Sequence, residues 1–203
     1  ESLVASGYPG RIFIVDDGSG VRRYLPQSGM VLYHKLRNGG ISRGKNTSIR
    51  LLMEEQVDVG FLADDDVTFQ PGWWVDYLTV HRKTDVHHLS WARRDKNVGP
   101  RFKQYQGMEL AATNYLNGLL LTFTPTVVET VGGFWVTDVK WGWDHVNWTN
   151  RIVHAGLTPF YADVVDPGIG MGSGASAVSL SQRRECRKLK LDRIGDVYRP
   201  LVE

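Results

Sequence analysis

The chain has 203 residues, 42% hydrophobic and 23% charged, with a formal net charge of +2. That suits one globular domain with a sizeable core, and so small a charge gives no reason to expect a nucleic-acid partner. No apolar run approaches the ~20 residues that a membrane helix needs.

Residues 1–10 read as the tail of a helix and a turn closed by Gly7 and Pro9-Gly10. Residues 11–15 are apolar and β-branched and run into Asp16-Asp17-Gly18-Ser19, the pattern of a buried strand ending in a polar loop. A second strand is predicted over 30–36. Ser42 is placed to cap a helix reaching about Gln56, with Ile49, Leu52 and Met53 on one face. Residues 59–63 read as a third strand, and Pro71-Gly72 opens a helix to about His81. A strand over 86–92 carries His87 and His88 in structural roles, and 93–106 is basic and irregular. Residues 119–123 form a strand, Pro125 opens a helix to Val131, and Gly132-Gly133 ends it. Residues 143–155 read as a helix stopped by Gly156, and 159–165 as a last strand. From Asp166 a Gly-rich, flexible loop leads into a basic C-terminal segment. Cys186 lies there among Arg183, Arg184, Arg187 and Lys188 and reads as a bystander thiol. A single cysteine cannot form an internal disulfide, so a reducing compartment, the cytoplasm, is expected, with membrane-peripheral attachment open. No secretory leader is expected at Glu1.

Strands alternating with helices imply an α/β fold, a mixed and mostly parallel twisted sheet flanked by helices. Ligands of such sheets bind outside the carboxyl ends of the strands. Two acid clusters, Asp16-Asp17 and Asp64-Asp65-Asp66, fall at such ends. Three adjacent carboxylates repel one another unless a cation or solvent relieves them. Mg²⁺ or Mn²⁺ held by one or two carboxylates plus substrate phosphates would do so; a solvated acidic turn is the plainer alternative.

The motifs resemble glycosyltransferase family 2. Ile12-Phe13-Ile14-Val15-Asp16-Asp17-Gly18-Ser19 is similar to that family's hydrophobic run and Asp-Asp-Gly-Ser. Gly39-Gly40-Ile41-Ser42-Arg43-Gly44-Lys45-Asn46 resembles its Gly-rich basic segment. Asp64-Asp65-Asp66-Val67, before Pro71-Gly72-Trp73-Trp74, resembles its DXD metal motif. Val131-Gly132-Gly133-Phe134 and Trp141-Gly142-Trp143-Asp144 resemble its Gly-Gly-Phe turn and acidic catalytic segment. The implied fold is the nucleotide-sugar-binding glycosyltransferase A fold. Residues 1–165 would be the catalytic domain, lacking the family's first strand, with 166–203 a loop and basic tail.

The resemblance implies transfer of a sugar from a UDP-sugar to an acceptor hydroxyl, of a glycan for choice, with inversion favoured over retention. Asp16, Asp17, Gly18 and Ser19 would meet the donor nucleotide, and Gly18 would let the backbone approach it closely. Arg43 and Lys45 would meet phosphate. Asp66 with Asp64 would hold Mn²⁺ or Mg²⁺, or Asp66 with Asp65, since Ala63 precedes the triplet. Asp64 and Asp65 would also lie against the donor. Asp144 would be the general base. Where the family often reads Glu-Asp this chain has Asp144-His145, which leaves His145 as second choice for the base. Trp141 and Trp143, with His145, would line the acceptor site. His145 and His154 are further metal candidates, and no His follows Asp166. A nucleotidyltransferase and a non-catalytic nucleotide-sugar-binding module are the competing functions. The Asp-Asp-Gly-Ser loop argues against the first; the second would not need Asp144.

Overall fold

The computed structural model describes residues 2–19, 29–35, 37–92, 101–113, 116–136 and 144–171. Trp141, Trp143, Cys186 and the basic residues Arg93, Arg94 and Lys96 lie outside them. A short helix α1 (Ser2–Ala5) precedes β1 (Ile12–Asp16), which pairs in parallel with β2 (Met30–His34). Then follow α2 (Ile41–Glu54), β3 (Gly60–Ala63), β4 (Val67–Phe69), α3 (Trp74–Lys83) and β5 (His88–Ala92). The hairpin of β6 (Arg101–Tyr105) and β7 (Met108–Ala112) leads to β8 (Leu116–Phe123), α4 (Pro125–Val131), α5 (Asp144–His154), β9 (Ala162–Val164) and β10 (Ile169–Met171).

At the centre, β8 lies between β3 and β5 and runs antiparallel to both. β3 and β5 therefore point the same way, with α3 crossing between them, as an alternating strand–helix pattern predicts. The mostly parallel sheet expected from that pattern is nevertheless not what the described strands form. Among them only β1 and β2 pair in parallel, because β8 enters between the two co-directional strands from the opposite end. The remaining pairings, β4 with β10, β6 with β7 and β7 with β9, are antiparallel.

Both faces of the central sheet are covered. Successive side chains of a strand point to opposite faces, and β8 uses this directly. Leu120 packs with Trp73, Tyr77, Val80 and Leu89 on the α3 side. Its neighbour Leu121 packs with Ile49 of α2, Val127 of α4, and Trp148 and Ile152 of α5. Trp73 and Trp148, two of the seven tryptophans, are thereby core residues. Residues 169–171, expected within a flexible loop, form β10 on β4, immediately beyond the acid triplet. Among the described residues no helix is long and apolar enough to cross a membrane.

Candidate active site

Helix α2 organises the site. Its buried residues are Ser42, Lys45 and Ile49, spaced to form one stripe of the helix. Ile49 enters the core, while the two polar residues of the stripe reach acids on other elements. Ser42 is not the N-cap predicted from the sequence: Gly40 holds that position with φ of 86°, and Ser42 lies inside the helix. Its hydroxyl donates to Oδ1 of Asp144 at the start of α5. Lys45, one turn further on, lies 2.9 Å from Oδ1 of Asp64 and donates to the Gly118 carbonyl at 2.6 Å. Arg43 faces outward, its guanidinium 3.4 Å from the Gly39 carbonyl in its own loop.

The acid triplet forms the turn between β3 and β4. The amide of Asp64 donates to Leu119 at 2.9 Å, extending the β3–β8 ladder by one step. Asp65 is exposed, whereas Asp64 and Asp66 are half-buried. Oδ1 of Asp66 is buried and has no hydrogen-bond partner. Burial, and after it the charge of Asp64, pushes the Asp66 carboxyl above the ordinary carboxylate range, with Asp65 adding to the effect. No group of three or more His, Cys, Asp or Glu able to hold a metal ion occurs among the described residues. Mg²⁺ and similar hard cations need only one or two carboxylates when phosphate oxygens complete the shell. A buried, unpartnered carboxylate oxygen beside a second half-buried carboxylate fits that donor set.

At the end of β1 the two acids have partners within the chain. Oδ1 of Asp16 accepts the Ser19 amide at 2.9 Å, a local turn, and Oδ2 meets Nδ1 of His34 at 2.8 Å. The Ser19 amide is the first cause that holds the Asp16 carboxyl below its usual range. Asp17 accepts the Lys35 ammonium and the amides of Gly39 and Gly40, at 3.1 and 2.7 Å, which lead into α2. Gly18, at φ of 78°, is required by the chain itself. A Cβ there would stand 2.5 Å from the backbone of Arg37 and Asn38. This corner therefore fixes the entry to α2.

Asp144 is buried, 5% exposed, at the first turn of α5. Its neighbour His145 lies against β8, where a Cβ on Gly118 would meet the imidazole Nδ1 at 2.8 Å. The same Gly118 offers its carbonyl to Lys45. Ser42, Asp144, His145, Gly118, Lys45 and Asp64 thus form a continuous path from α5 through β8 and α2 to the end of β3. His154 is exposed at the far end of α5, bound to the Asn150 carbonyl at 2.8 Å and away from the triplet. The Gly-Gly-Phe turn is clamped from two helices. Asn46 of α2 gives its amide to the Phe134 carbonyl at 2.8 Å and accepts the Phe134 amide at 2.7 Å. Trp148 of α5 donates to Gly132 at 2.9 Å, and Arg151 donates to Val131 and Gly133. The path through Ser42 and Gly118 has one sequence signal, polar residues on the apolar stripe of a helix. Of its partners, Asp144 on α5 stands in a motif and Gly118 on β8 has no signal.

No family model matches the chain. Over 145 residues it is 31% identical to an uncharacterised glycosyltransferase of Acanthamoeba polyphaga mimivirus, covering 66% of this chain and 53% of that one. Its fold matches a mannosyltransferase from Pyrobaculum calidifontis, solved in complex with GDP-Man and Mn²⁺, with a TM-score of 0.59 and 19% identity. That match covers 92% of this chain and 54% of the mannosyltransferase. The chain spans about half the length of each relative. The chain is thus similar in sequence to a glycosyltransferase and shares a mixed α/β fold with a mannosyltransferase.

Proposed function

We propose that the chain is the catalytic part of a metal-dependent glycosyltransferase that moves a sugar from a nucleoside diphosphate sugar to a hydroxyl of a glycan. The observation that carries this reading is the buried, unpartnered Oδ1 of Asp66 beside the Asp64–Lys45 pair at the end of β3. Asp66, with Asp64, holds the cation, Mn²⁺ or Mg²⁺. When bound, the cation supplies Lewis-acid stabilisation to the charge that develops on the departing diphosphate. Lys45 adds a fixed positive charge at the same end of the sheet. Asp144 accepts the proton of the attacking hydroxyl, which is the role an inverting reaction needs. Ser42 and Lys45 are three residues apart on α2, about 4.5 Å along its axis. The proposed base and the proposed metal acid are therefore referred to one rigid element.

The donor is a UDP-sugar on the sequence resemblance, and the mannosyltransferase of similar fold was solved with GDP-Man. Calorimetry with UDP-glucose and GDP-mannose, with Mn²⁺ and with chelator, decides both the donor's nucleobase and the metal. Binding of one donor that needs Mn²⁺ is expected; binding unaffected by chelator overturns the metal role. Asp144→Asn is expected to keep donor affinity and lose transfer. Full transfer by that variant removes Asp144 as base, and a wild-type chain that binds donor without transferring it is a binding module.

A further inference from the structure

The hydroxyl of Ser42 is spent on a residue 102 positions away rather than on its own helix, and that residue is the buried Asp144. Ser42 is itself buried, 5% exposed, on the stripe of α2 that also carries Lys45 to Asp64. A structural serine inside a helix commonly turns its hydroxyl to the carbonyl four residues back, as Ser48 and Thr47 of the same helix do. Ser42 stands at the second position of the helix, with Asn38 four residues back outside it, and turns its hydroxyl across to α5. We infer that Ser42 is a positioning residue for Asp144: its hydroxyl holds Oδ1 and so restricts the rotamer of the carboxylate. This rests on Asp144 being the base of the transfer proposed above.

The chemistry is that of a charge-assisted O–H donor, roughly twice as strong as a neutral one and directional. A carboxylate that must take a proton loses rate when its orientation wanders, because proton transfer needs hydrogen-bond reach and alignment. Donor and cation contacts are made elsewhere, at the triplet. Removal of the hydroxyl is therefore read in turnover and not in donor affinity.

Ser42→Ala and Ser42→Cys test this. Cysteine keeps the volume and donates only weakly, so it carries the test should the alanine variant fail to fold. Transfer is measured with Mn²⁺ and either GDP-mannose or UDP-glucose, against a panel of alkyl glycosides as acceptors. The ¹³C resonance of the Asp144 carboxyl, assigned with Asp144→Asn, is followed at fixed pH. Both variants are expected to lower kcat, by about tenfold for alanine. Donor KM and Mn²⁺ affinity stay within about twofold, and the Asp144 resonance moves in both variants. An unmoved resonance overturns the inference. So does a fall in kcat accompanied by an equal weakening of donor KM, which marks a merely structural serine. A wild-type chain that transfers sugar beside variants equal to it in kcat overturns this inference alone. A wild-type chain that transfers nothing overturns the functional reading and takes this inference with it.

Discussion

Lys45 and Asp64 form an ion pair of 2.9 Å in which the lysine is the less exposed partner, 10% against 26% for the side chains. From the sequence the acid triplet has no neutralising charge and Lys45 is a candidate phosphate donor. In the fold its ammonium stands inside the site, on Asp64 and the Gly118 carbonyl. Replacing Lys45 with Met leaves Asp64 half-buried and unopposed. The pair lies between a surface and a core ion pair, so a loss of about 2 kcal/mol is expected in urea denaturation. Mn²⁺ is expected to return part of it by taking over the neutralisation. A midpoint that does not move would strike the pair from the list of stabilising contacts.

Asp66→Asn should act in the opposite sense. The folded state raises the Asp66 carboxyl through burial and the charges of Asp64 and Asp65. A raised carboxylate favours folding below its unfolded value and opposes it once ionised, so at neutral pH the charge costs stability. The amide variant is expected to melt higher than wild type in the absence of metal and to show no Mn²⁺-induced rise in Tm. A variant that still gains stability from Mn²⁺ places the cation elsewhere.

Acid should unfold the chain through two histidines, His81 half-buried and His88 buried. Nδ1 of His81 donates to the Val86 carbonyl at 2.8 Å, and its Nε2 accepts from the Thr122 hydroxyl at 2.8 Å. Nδ1 of His88 donates to the Thr122 carbonyl at 2.7 Å, and its Nε2 accepts from the Thr149 hydroxyl at 2.9 Å. Burial lowers both imidazoles from 6.5 to about 4. Above 6.5 the folded and unfolded chains both hold them neutral. Between 6.5 and about 4 only the unfolded chain binds the protons, so stability is full above this window and is lost as pH falls through it. Each imidazole accounts for at most about 3 kcal/mol. Urea midpoints across that range measure the slope, and His81→Gln should flatten it. A slope unchanged by that substitution would assign the acid sensitivity to other groups.

The clamp on the Gly-Gly-Phe turn makes Gly133 sensitive to a single methyl. A Cβ there would stand 2.4 Å from Oδ1 of Asn46, the atom that accepts the Phe134 amide. Gly133→Ala is expected to cost about 2 kcal/mol by displacing Asn46. Asn46→Ala, which leaves both Phe134 backbone groups without it, should cost a similar amount. The double variant should cost less than the sum, since both changes break one contact. Strict additivity in denaturation would separate the two residues.

Much of this was readable in the chain. Residues 125–131 were bounded correctly because Pro125 and Gly132 mark both ends, and β3 was betrayed by an apolar run stopping at an acid cluster. β6 was not, because Arg101, Phe102, Lys103 and Gln104 are all exposed and the strand has no buried face to show as periodicity. Its turn did leave a trace: Gln106 and Gly107 both take positive φ, as a two-residue hairpin loop requires. The insertion of β8 between β3 and β5 had no local signature, since strand direction is decided by pairings far apart in sequence. At the site, the motifs picked out Asp64, Asp66 and Asp144 as residue types. That Ser42 and Lys45 address two of them from one helical turn is a tertiary fact.

The place of β8 also has a consequence for how the chain is made. β3 and β5 both take their ladder partner from residues 116–123, so synthesis as far as residue 92 leaves two hydrophobic strand edges open. The gap closes only when Phe123 has left the exit tunnel, and Trp148 of the still later α5 then covers one side of it. Until that moment the nascent segment is a template for any other unpaired strand. Chaperone demand during translation should therefore peak between these two points of the chain.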